Sequence, residues 1–516
     1  MKFIGREEQL KKLDRVINTD ELTFSLIYGR RRVGKSELVK QAVKRNNVKS
    51  FYYECKQVSE AGNAAGLGEI VSEIMGLPKL GFSDIEAVLK YIFELSVKEK
   101  IILVLDEYPY LRENIKGMDS ILQSLVDKYK DTSKITLIIL GSYVEVMRSL
   151  LEHSNPLYGR VDLTIDLKQM DYYESAYFYP NFSVEDKVRI YSVFGGIPYY
   201  NRLIDDSKSV KDNIIELIAS SGARLENEVS MYLNAEISKI TNANEVFEAL
   251  SRGYTRYSDI LSQSHVSSGP TLVDVLDKLM RMEVVVKTAP INDGNNKKKA
   301  GYYISDNLSL FYYRYIFKYS SQMKIMDSEV FYKKYIETDF EEHYVPHIFE
   351  TICSQYLIRM NRLGNIEPVF EKIGKYYYDN PVEHTNGEFD VVTEDENGKL
   401  KAASLYTLSN AGAFGDHTPT TIGLTGHKSL PLYTSHVNAF KFAFDGVYSN
   451  TIPAGAYRGY GATQGVYALE TTMNKLALKM NMDPIEFKKK NLLKEGDYMP
   501  AYHGETANSC TLEKCL

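Results

Sequence analysis

The residues with the clearest chemical potential form one short run, Gly29-Arg-Arg-Arg-Val-Gly34-Lys35-Ser36. It fits the pattern G-x-x-x-x-G-K-[ST], in which loop N–H groups surround a phosphate chain, the lysine reaches the β- and γ-phosphates and the hydroxyl binds Mg²⁺. Lys35 is therefore assigned to catalysis and Ser36 to the metal. The positions expected to bind the cofactor are Gly29, Arg32, Val33, Gly34, Lys35, Ser36 and Glu37. The three arginine side chains at unconstrained loop positions are expected to face solvent or a partner rather than the nucleotide: Arg30, Arg31 and Arg32.

A strand before this run and a helix after it would hold the loop in place. The apolar run Thr23 to Tyr28 predicts a buried strand, and residues 37–44 predict a helix. A Gly-rich turn between a strand and a helix aims N–H groups and the positive helix end at a phosphate. The alternative is a loop that carries Gly and Lys without binding a nucleotide.

The surrounding sequence predicts an α/β sheet. Apolar β-type runs alternate with helical patterns over residues 20–170, and helix-length segments between strands are typical of a parallel, three-layer α/β fold. The predicted strands are residues 23–28, 50–54, 101–105, 135–140 and 161–167.

Two acids follow the third predicted strand, Ile101 to Leu105, at the carboxyl edge where open α/β sheets bind ligands. Asp106 is expected to orient Mg²⁺ or its water, so it is assigned to both metal binding and catalysis. Glu107 is expected to polarise the water that attacks the γ-phosphorus. The alternative is an ordinary acidic loop after a buried strand.

Two further polar residues could act on the same phosphate. Ser142 follows the fourth predicted strand and could sense the γ-phosphate, although a turn serine is the alternative. Arg160 lies in a loop just ahead of the fifth strand and could offset charge that develops in the transition state. A surface ion pair is the alternative for Arg160, and action across a subunit boundary would require assembly.

These residues together resemble the AAA-related, STAND-like prokaryotic ATPases, whose C-terminal part is similar to a restriction-type nuclease. The resemblance covers about residues 1–400, from Phe3-Ile-Gly-Arg-Glu7, similar to an adenine-side box, to Gly195-Gly-Ile-Pro198-Tyr199, similar to a helical lid motif. It implies ATP and Mg²⁺ as cofactors and places Pro198 in the cofactor site.

Residues after the lid predict a winged helix. Three amphipathic segments at 244–252, 257–263 and 270–282 precede two strands, residues 284–287 and 301–304, with a polar tip between them. Asp274 and Asp277 on the recognition helix oppose phosphates, whereas Lys297 to Lys299 on the tip attract them. A DNA partner, a protein partner and a spacer role therefore all stay open.

The next region resembles the start of a PD-(D/E)xK nuclease-like fold. Glu350 lies on a predicted helix, residues 344–360, and Asp390 lies on a predicted strand, residues 387–392. The E-x-K expected on the following strand is absent, so a divalent ion would lose a ligand and the lysine would be missing. Metal-dependent cleavage by this region is not expected.

From about residue 398 the sequence resembles another family, the molybdenum-binding subunit of xanthine dehydrogenase and aldehyde oxidase. The residues that carry this resemblance are Asn410-Ala-Gly-Ala-Phe-Gly-Asp-His417, Ala456-Tyr-Arg-Gly-Tyr-Gly461-Ala-Thr-Gln464 and Asp483-Pro-x-Glu-x-Lys-x-x-Asn491. The resemblance implies that Tyr457 and Arg458 lie near molybdopterin and that Tyr460 stacks on a flat substrate. A plain Gly-rich loop is the alternative.

The C-terminal segment lacks parts that this second family uses. Its earlier cofactor loop, its late catalytic glutamate and any cysteine cluster have no counterpart, so molybdopterin binding and oxidoreductase activity are not expected. Residues 1–400 contain 13 Ala and residues 401–516 another 13, which marks a compositional boundary at the same place. Either a gene fusion or an assembly artefact would join two truncated folds, and poor packing is expected over residues 331–516.

Length and composition limit the number of domains and the class of protein. A chain of 516 residues exceeds the size of one core, and its charge, −6, argues against indiscriminate nucleic-acid binding. No apolar run is long enough to span a membrane, and Met1 leads into a charged segment without a signal region, so a cytoplasmic location is expected. The four scattered cysteines predict reduced thiols.

The expected fold is multidomain α/β. The expected domains are a P-loop NTPase with a helical lid (1–205), a helical linker (206–235), a winged helix (236–330), a truncated α/β nuclease-like region (331–399) and an α+β molybdenum hydroxylase fragment (400–516). The expected function is ATP hydrolysis that drives a conformational switch, with DNA as one candidate partner and oligomerisation open. The alternatives are a nucleotide-binding interaction module with little turnover and a molybdopterin-dependent oxidoreductase fragment.

Overall fold

A computed structural model describes most of the chain. The described residues are 3–229, 242–291, 300–366, 369–380, 385–394, 400, 402–413, 418–437, 439–450, 459–480, 482–501 and 503–515. They group into two compact units. The first comprises Met1–Tyr254, Ile260–Val286 and Ile304–Phe340, and the second comprises Thr255–Asp259, Lys287–Tyr303 and Glu341–Leu516.

A five-stranded sheet forms the centre of the first unit. Its order is β2-β3-β4-β1-β5 and every pairing is parallel, as the alternation of strands and helices predicts. The three central strands, β1, β3 and β4, are buried along their whole length because helices cover both faces. All five strands lie within two residues of their predicted bounds: β1 Thr23–Tyr28, β2 Lys49–Glu54, β3 Ile101–Asp106, β4 Ile135–Gly141 and β5 Leu163–Asp166.

Helices between and after these strands supply the outer layers. Side-chain caps fix several of their starts: Asp84, for example, accepts a hydrogen bond from the Ala87 N–H and satisfies a donor that the first turn leaves free. The helices of this part are α1 Glu7–Ile17, α2 Lys35–Asn46, α3 Glu60–Met75, α4 Ile85–Ser96, α5 Pro109–Asn114, α6 Met118–Tyr129, α7 Val144–Ser149, α8 Tyr172–Ser175, α9 Val184–Phe194, α10 Pro198–Asn201 and α11 Val210–Leu217.

The middle of the chain contains the elements that predicted a winged helix. Three helices, α12 Ala243–Ser251, α13 Tyr257–Gln263 and α14 Gly269–Arg281, precede two strands, β6 Val285–Thr288 and β7 Gly301–Ile304. The element order thus agrees, whereas the winged-helix assignment itself stays a prediction. Lys297, Lys298 and Lys299 lie outside the described residues. The following helical segments are α15 Asn307–Phe311, a π-helix Tyr312–Phe317, α16 Ser320–Ile325, α17 Ser328–Tyr335, α18 Glu337–Asp339 and a π-helix Phe340–Tyr344.

The second unit mixes helices with small sheets. β8 and β9 pair antiparallel, β10 and β11 pair parallel, and β12 and β13 pair antiparallel. Its strands are β8 Lys372–Asn380, β9 Thr385–Glu394, β10 Ala402–Gly412, β11 Ala439–Tyr448, β12 Tyr498–Met499 and β13 Glu505–Thr506. Its helices are α19 Val345–Arg362, α20 Thr418–Ser429, α21 Ala462–Lys479 and α22 Pro484–Asn491.

Packing in the second unit differs from one part to another. Its apolar residues form three small clusters, and one of these joins Tyr376 and Val392 to Leu405 and Leu430 across the expected junction. Most side chains of β11 are nevertheless exposed, which is what we expect for an apolar face that no other element covers. Poor packing therefore describes this strand and not the whole region.

The helix and strand expected to carry the nuclease-like acids are both present, as α19 and β9. Burial alone would raise the pKa of the Glu350 carboxyl, but a hydrogen bond from His347 and the charges of Lys375 and Lys441 lower it. The two lysine ammonium groups lie 3.5 and 3.8 Å from the carboxylate. Glu350 is thus an ion-paired side chain.

Within the described ranges, no helix is both long and apolar enough to cross a membrane. The described cysteines Cys55, Cys353 and Cys510 are free thiols.

Candidate active site

Three strand ends form the candidate site. The phosphate loop follows β1, the pair Asp106-Glu107 ends and follows β3, and Ser142 follows β4. Because β3, β4 and β1 are neighbours in a parallel sheet, their carboxyl ends meet at one edge. The sequence alone placed each residue at a strand end, and the strand order brings them together.

Glycine is required at both ends of the phosphate loop. Gly29 has φ 153°, and a Cβ there would lie 2.2 Å from the Leu167 carbonyl oxygen. Gly34 has φ 95° and begins α2, where the free N–H groups of the first turn point toward the loop. The buried ammonium of Lys35 donates to the carbonyl oxygens of Gly29 at 2.8 Å and Arg30 at 3.0 Å. A cation held at the mouth of an N–H-lined loop fits a phosphate chain.

The carboxylate of Asp106 is buried and has a partner on each oxygen. Oδ1 accepts the Glu107 N–H at 3.0 Å, and Oδ2 accepts the Tyr52 hydroxyl. Burial raises the pKa of Tyr52, and the Asp106 charge and hydrogen bond raise it further, so the phenol keeps the proton that it donates. Ser36 and Asp106 offer the hard oxygen ligands that Mg²⁺ prefers, so the side chains fit the metal.

The carboxylate of Glu107 points to Ser142. Oε1 accepts the Ser142 hydroxyl, and Oε2 accepts the Ser142 N–H at 3.1 Å. Glu107 has φ 55°, a left-handed conformation that is uncommon for residues other than glycine. The two residues assigned to water activation and phosphate sensing are therefore in direct contact.

A cavity of about 240 Å³ lies beside the phosphate loop. Its lining combines apolar side chains with five basic ones, a composition suited to a flat base carrying phosphates. The lining residues are Phe3, Ile4, Arg6, Arg31, Arg32, Val33, Gly34, Lys35, Ser36, Glu37, Glu107, Met170, Phe178, Pro198, Tyr199 and Arg202.

The Gly-Gly-x-Pro segment brings α10 to this cavity. A Cβ on Gly196 would lie 1.8 Å from the Met170 carbonyl oxygen, so only glycine fits this close approach. Pro198 begins α10, and its Cγ lies 3.7 Å from the Cβ position of Gly34. Pro198 therefore lies against the phosphate loop, and its role in binding the nucleotide stays a prediction.

Several lining residues lie outside the sequence assignment of site residues, and three of them are basic or aromatic side chains near the phosphate loop. Arg6 is buried and donates to the carbonyl oxygens of Val33 at 3.3 Å and Lys168 at 2.6 Å, which ties the segment before α1 to the loop. Tyr199 stacks under the Arg32 guanidinium, 4.1 Å from the ring centroid. Arg202 follows Pro198 by four residues, a spacing that puts both on one side of a helix and could have indicated it.

The loop arginines differ in their exposure. Arg31 is exposed, as expected. Arg30 lies 3.3 Å from the buried carboxylate of Asp306, and its side chain is 11% exposed. Arg32 forms a 2.6 Å ion pair with Glu228. The expectation that these side chains face solvent or a partner was wrong for Arg30, because an acid distant in sequence holds it inside. For Arg32, whose side chain is 33% exposed, the expectation stays open.

Arg160 does not reach the nucleotide cavity of its own chain. Its guanidinium makes two hydrogen bonds with Asp127, at 2.7 and 2.8 Å. β5 pairs with β1 from Leu163↔Ser25 onward, so a residue ahead of β5 belongs to the amino edge of the sheet, opposite the phosphate loop. The catalytic assignment of Arg160 within one chain is corrected accordingly.

The residues assigned to molybdopterin are only partly described. Tyr457 and Arg458 lie outside the described residues. Tyr460 is half-buried with φ 40°, between Gly459 and Gly461, which also have positive φ angles. A Cβ on Gly461 would lie 2.0 Å from the Thr421 carbonyl oxygen, so this turn packs closely on α20. Over the described ranges, no group of three or more His, Cys, Asp or Glu side chains could hold a metal ion.

Family models match three parts of the chain. Residues 3–203 match an ATPase domain described as predominantly from Archaea. Residues 312–404 match a family of archaeal and bacterial proteins of unknown function. Residues 391–492 match a molybdopterin cofactor-binding domain. The chain thus combines an ATPase domain of P-loop, parallel-sheet fold with a C-terminal fragment similar to molybdenum-binding subunits.

Relatives follow the same division. An uncharacterized protein of Methanocaldococcus jannaschii is 28% identical over 398 residues, which are 77% of this chain and 85% of that protein. The putative xanthine dehydrogenase molybdenum-binding subunit of Escherichia coli strain K12 is 36% identical over 122 residues, 24% of this chain. The chain spans 16% of the length of that subunit.

Two solved structures are each similar to one part of the chain. The Walker-type ATPase of Pyrococcus abyssi is 19% identical, with a TM-score of 0.47, and the match covers 60% of this chain and 96% of that one. The aldehyde oxidoreductase of Desulfovibrio gigas is 25% identical, with a TM-score of 0.22, and the match covers 25% of this chain and 14% of that one.

Proposed function

We propose that the protein binds ATP with Mg²⁺ and hydrolyses it. The observation that supports this most strongly is the convergence of Lys35, Asp106 and Glu107 at one sheet edge beside a basic cavity. Lys35 is proposed to hold the β- and γ-phosphates, and Ser36 with Asp106 to hold the metal. When bound, Mg²⁺ would offset charge on the phosphate oxygens.

Water activation is proposed for Glu107. A carboxylate at the γ-phosphate end of the cavity can orient water and accept its proton. Ser142 is proposed to sense the γ-phosphate, since its hydroxyl lies within hydrogen-bond reach of Glu107. The remaining nucleotide contacts are proposed for Gly29, Arg32, Val33, Gly34, Glu37 and Pro198.

A pair of variants tests hydrolysis. Lys35→Ala is expected to abolish Mg²⁺-dependent phosphate release, whereas Lys44→Ala, an exposed lysine on the same helix, should leave it unchanged. Glu107→Gln keeps the shape but removes the base, so ATP should stay bound with hydrolysis lost. Unchanged turnover in Lys35→Ala would contradict the proposal, and ATP binding without turnover in the wild type would favour the interaction module.

We propose further that the nucleotide state controls the position of the winged-helix elements. Arg30 of the phosphate loop pairs with Asp306, and Asp306 also caps α15 by accepting from the Ser309 N–H at 2.9 Å. Just after α14, Glu283 pairs with Arg148 on α7 and with Lys168. Glu283 and Asp306 lie on either side of β6 and β7, so a shift of the phosphate loop or of α7 would act on both ends of this segment.

The partner of the winged-helix elements is proposed to be DNA or another protein. Asp274 is exposed, pairs with Lys278 at 2.7 Å and leaves α14 with little attraction for phosphates. Titration of short duplex DNA at two salt concentrations separates the two partners. Salt-sensitive binding favours DNA, whereas no binding at low salt favours a protein.

For the C-terminal fragment we propose no oxidoreductase activity. The match covers only 16% of the length of the putative xanthine dehydrogenase subunit, so most of that protein has no counterpart in this fragment. Elemental analysis of the purified protein provides the test. Molybdenum at one atom per chain would contradict this proposal.

A further inference from the structure

The Tyr52 hydroxyl contacts one of the side chains proposed to hold Mg²⁺, because it donates to Asp106 Oδ2. The two residues are far apart in sequence and belong to different strands, since Tyr52 lies on β2 and Asp106 ends β3. A phenol on one strand is thus in contact with the carboxylate at the end of the next.

The register of the sheet puts Tyr52 in this position. β2 pairs with β3 so that Tyr52 lies opposite Val104 and Glu54 lies opposite Asp106. Side chains alternate along a strand, so Tyr52 and Tyr53 point to opposite faces of the sheet. The Tyr53 hydroxyl accordingly donates to Asn63 at 2.8 Å, away from the candidate site.

A second contact restrains the Tyr52 ring. The ammonium of Lys40 on α2 lies 5.2 Å from the ring centroid, within the range of a cation–π interaction. The ring is therefore held from the helix side while its hydroxyl reaches the end of β3. This arrangement fixes the direction in which the hydroxyl points.

Asp106 has no freedom to turn while Tyr52 holds it. One carboxylate oxygen accepts the Glu107 N–H at 3.0 Å and the other accepts Tyr52. The side chain is buried, so water does not compete effectively for either oxygen. Without the phenol, one buried carboxylate oxygen would lose its hydrogen-bond donor.

Mg²⁺ is demanding about such orientation. It requires nearly octahedral geometry and usually keeps several waters, so groups that orient its ligands and waters affect its affinity. Partners of metal ligands typically contribute about 10–100-fold in metal affinity.

We propose that Tyr52 is a positioning residue for Mg²⁺, which holds the Asp106 carboxylate in the arrangement that the metal and its waters require. The proposal rests on the proposed function, because it takes Asp106 as a magnesium group. Tyr52 acts through Asp106, and it is not among the residues that line the cavity beside the phosphate loop.

Binding of a fluorescent ATP analogue, with EDTA and then with Mg²⁺, tests this role without measuring turnover. The quantity compared is the factor by which Mg²⁺ tightens nucleotide binding. Tyr52→Phe is expected to lower this factor about 10-fold and to leave the affinity in EDTA unchanged. Tyr53→Phe, which removes the neighbouring hydroxyl on the opposite face, should behave as the wild type.

A second variant checks that Tyr52 acts through Asp106. In an Asp106→Asn background, Tyr52→Phe should cause less than a 2-fold further change, because the carboxylate that it positions is gone. If Mg²⁺ tightens nucleotide binding to Tyr52→Phe as much as to the wild type, the inference is wrong and the proposed function still stands. If Mg²⁺ does not change the nucleotide affinity of the wild type, the proposed function is contradicted, and so is the role of Tyr52.

Discussion

Ser142 donates two hydrogen bonds to the carboxylate of Glu107, one from its hydroxyl and one from its N–H at 3.1 Å. The residue proposed to sense the γ-phosphate therefore holds the residue proposed to activate water. A γ-phosphate that attracts the Ser142 hydroxyl would have to take it from Glu107. Binding of a nucleotide would therefore release the Glu107 carboxylate from the Ser142 hydroxyl.

Replacing Ser142 tests this relationship. Ser142→Ala keeps the N–H donor and removes the hydroxyl, so we expect kcat to fall about 10²-fold, as for loss of one transition-state donor. Steady-state phosphate release measures it, with the exposed Ser154→Ala as the control. A kcat equal to that of the wild type would show that the hydroxyl has no part in turnover.

Arg160 should be dispensable for hydrolysis at high dilution. Its guanidinium pairs with Asp127 near the surface, so Arg160→Ala is expected to cost at most about 1 kcal/mol of unfolding free energy. Turnover should stay within about 2-fold of the wild type when the protein is monomeric. A 10-fold loss that appears only at high protein concentration would indicate that Arg160 acts on a neighbouring copy.

The Arg30–Asp306 ion pair should stabilise the protein and couple the phosphate loop to the start of α15. Both side chains are largely buried, so Arg30→Ala is expected to destabilise the protein by about 3–5 kcal/mol in denaturant melts. Arg31→Ala, at the exposed neighbouring position, should have little effect. A double-mutant cycle with Asp306→Asn measures the coupling between the two residues, and strictly additive losses would contradict a direct interaction.

Cys55 should resist alkylation in the native protein. Burial raises the pKa of its thiol, and the nearby Asp106 and Glu107 charges raise it further, so the reactive thiolate is scarce at pH 8. Iodoacetamide is expected to label the partly exposed Cys510 and to spare Cys55 until guanidinium unfolds the chain. Peptide mass spectrometry reads both sites, and equal native labelling rates would contradict the buried position of Cys55.

Local patterns predicted the five strands, because each is an apolar run separated from the next by a helix-length segment. The same patterns selected Lys35, Ser36 and Asp106 as candidates, since a phosphate loop and a carboxylate at a strand end have recognisable spacing, and their roles stay predictions. The sequence also indicated a change of family near residue 400. Two of the matched family models overlap there, over residues 391–404. The winged helix and the magnesium assignment stay predictions.

The sequence by itself determined which residue types could bind a phosphate and where the strands that carry them begin and end. Tertiary structure decided which side chains meet. The parallel pairing of β5 with β1 puts Arg160 at the opposite sheet edge, and an ion pair with Asp306, which is remote in sequence, holds Arg30 inside. Tyr52 has no motif, because its role depends on the register of β2 against β3. Hydrogen bonds and ion pairs act over a few ångströms of space, whereas sequence patterns report only neighbours along the chain.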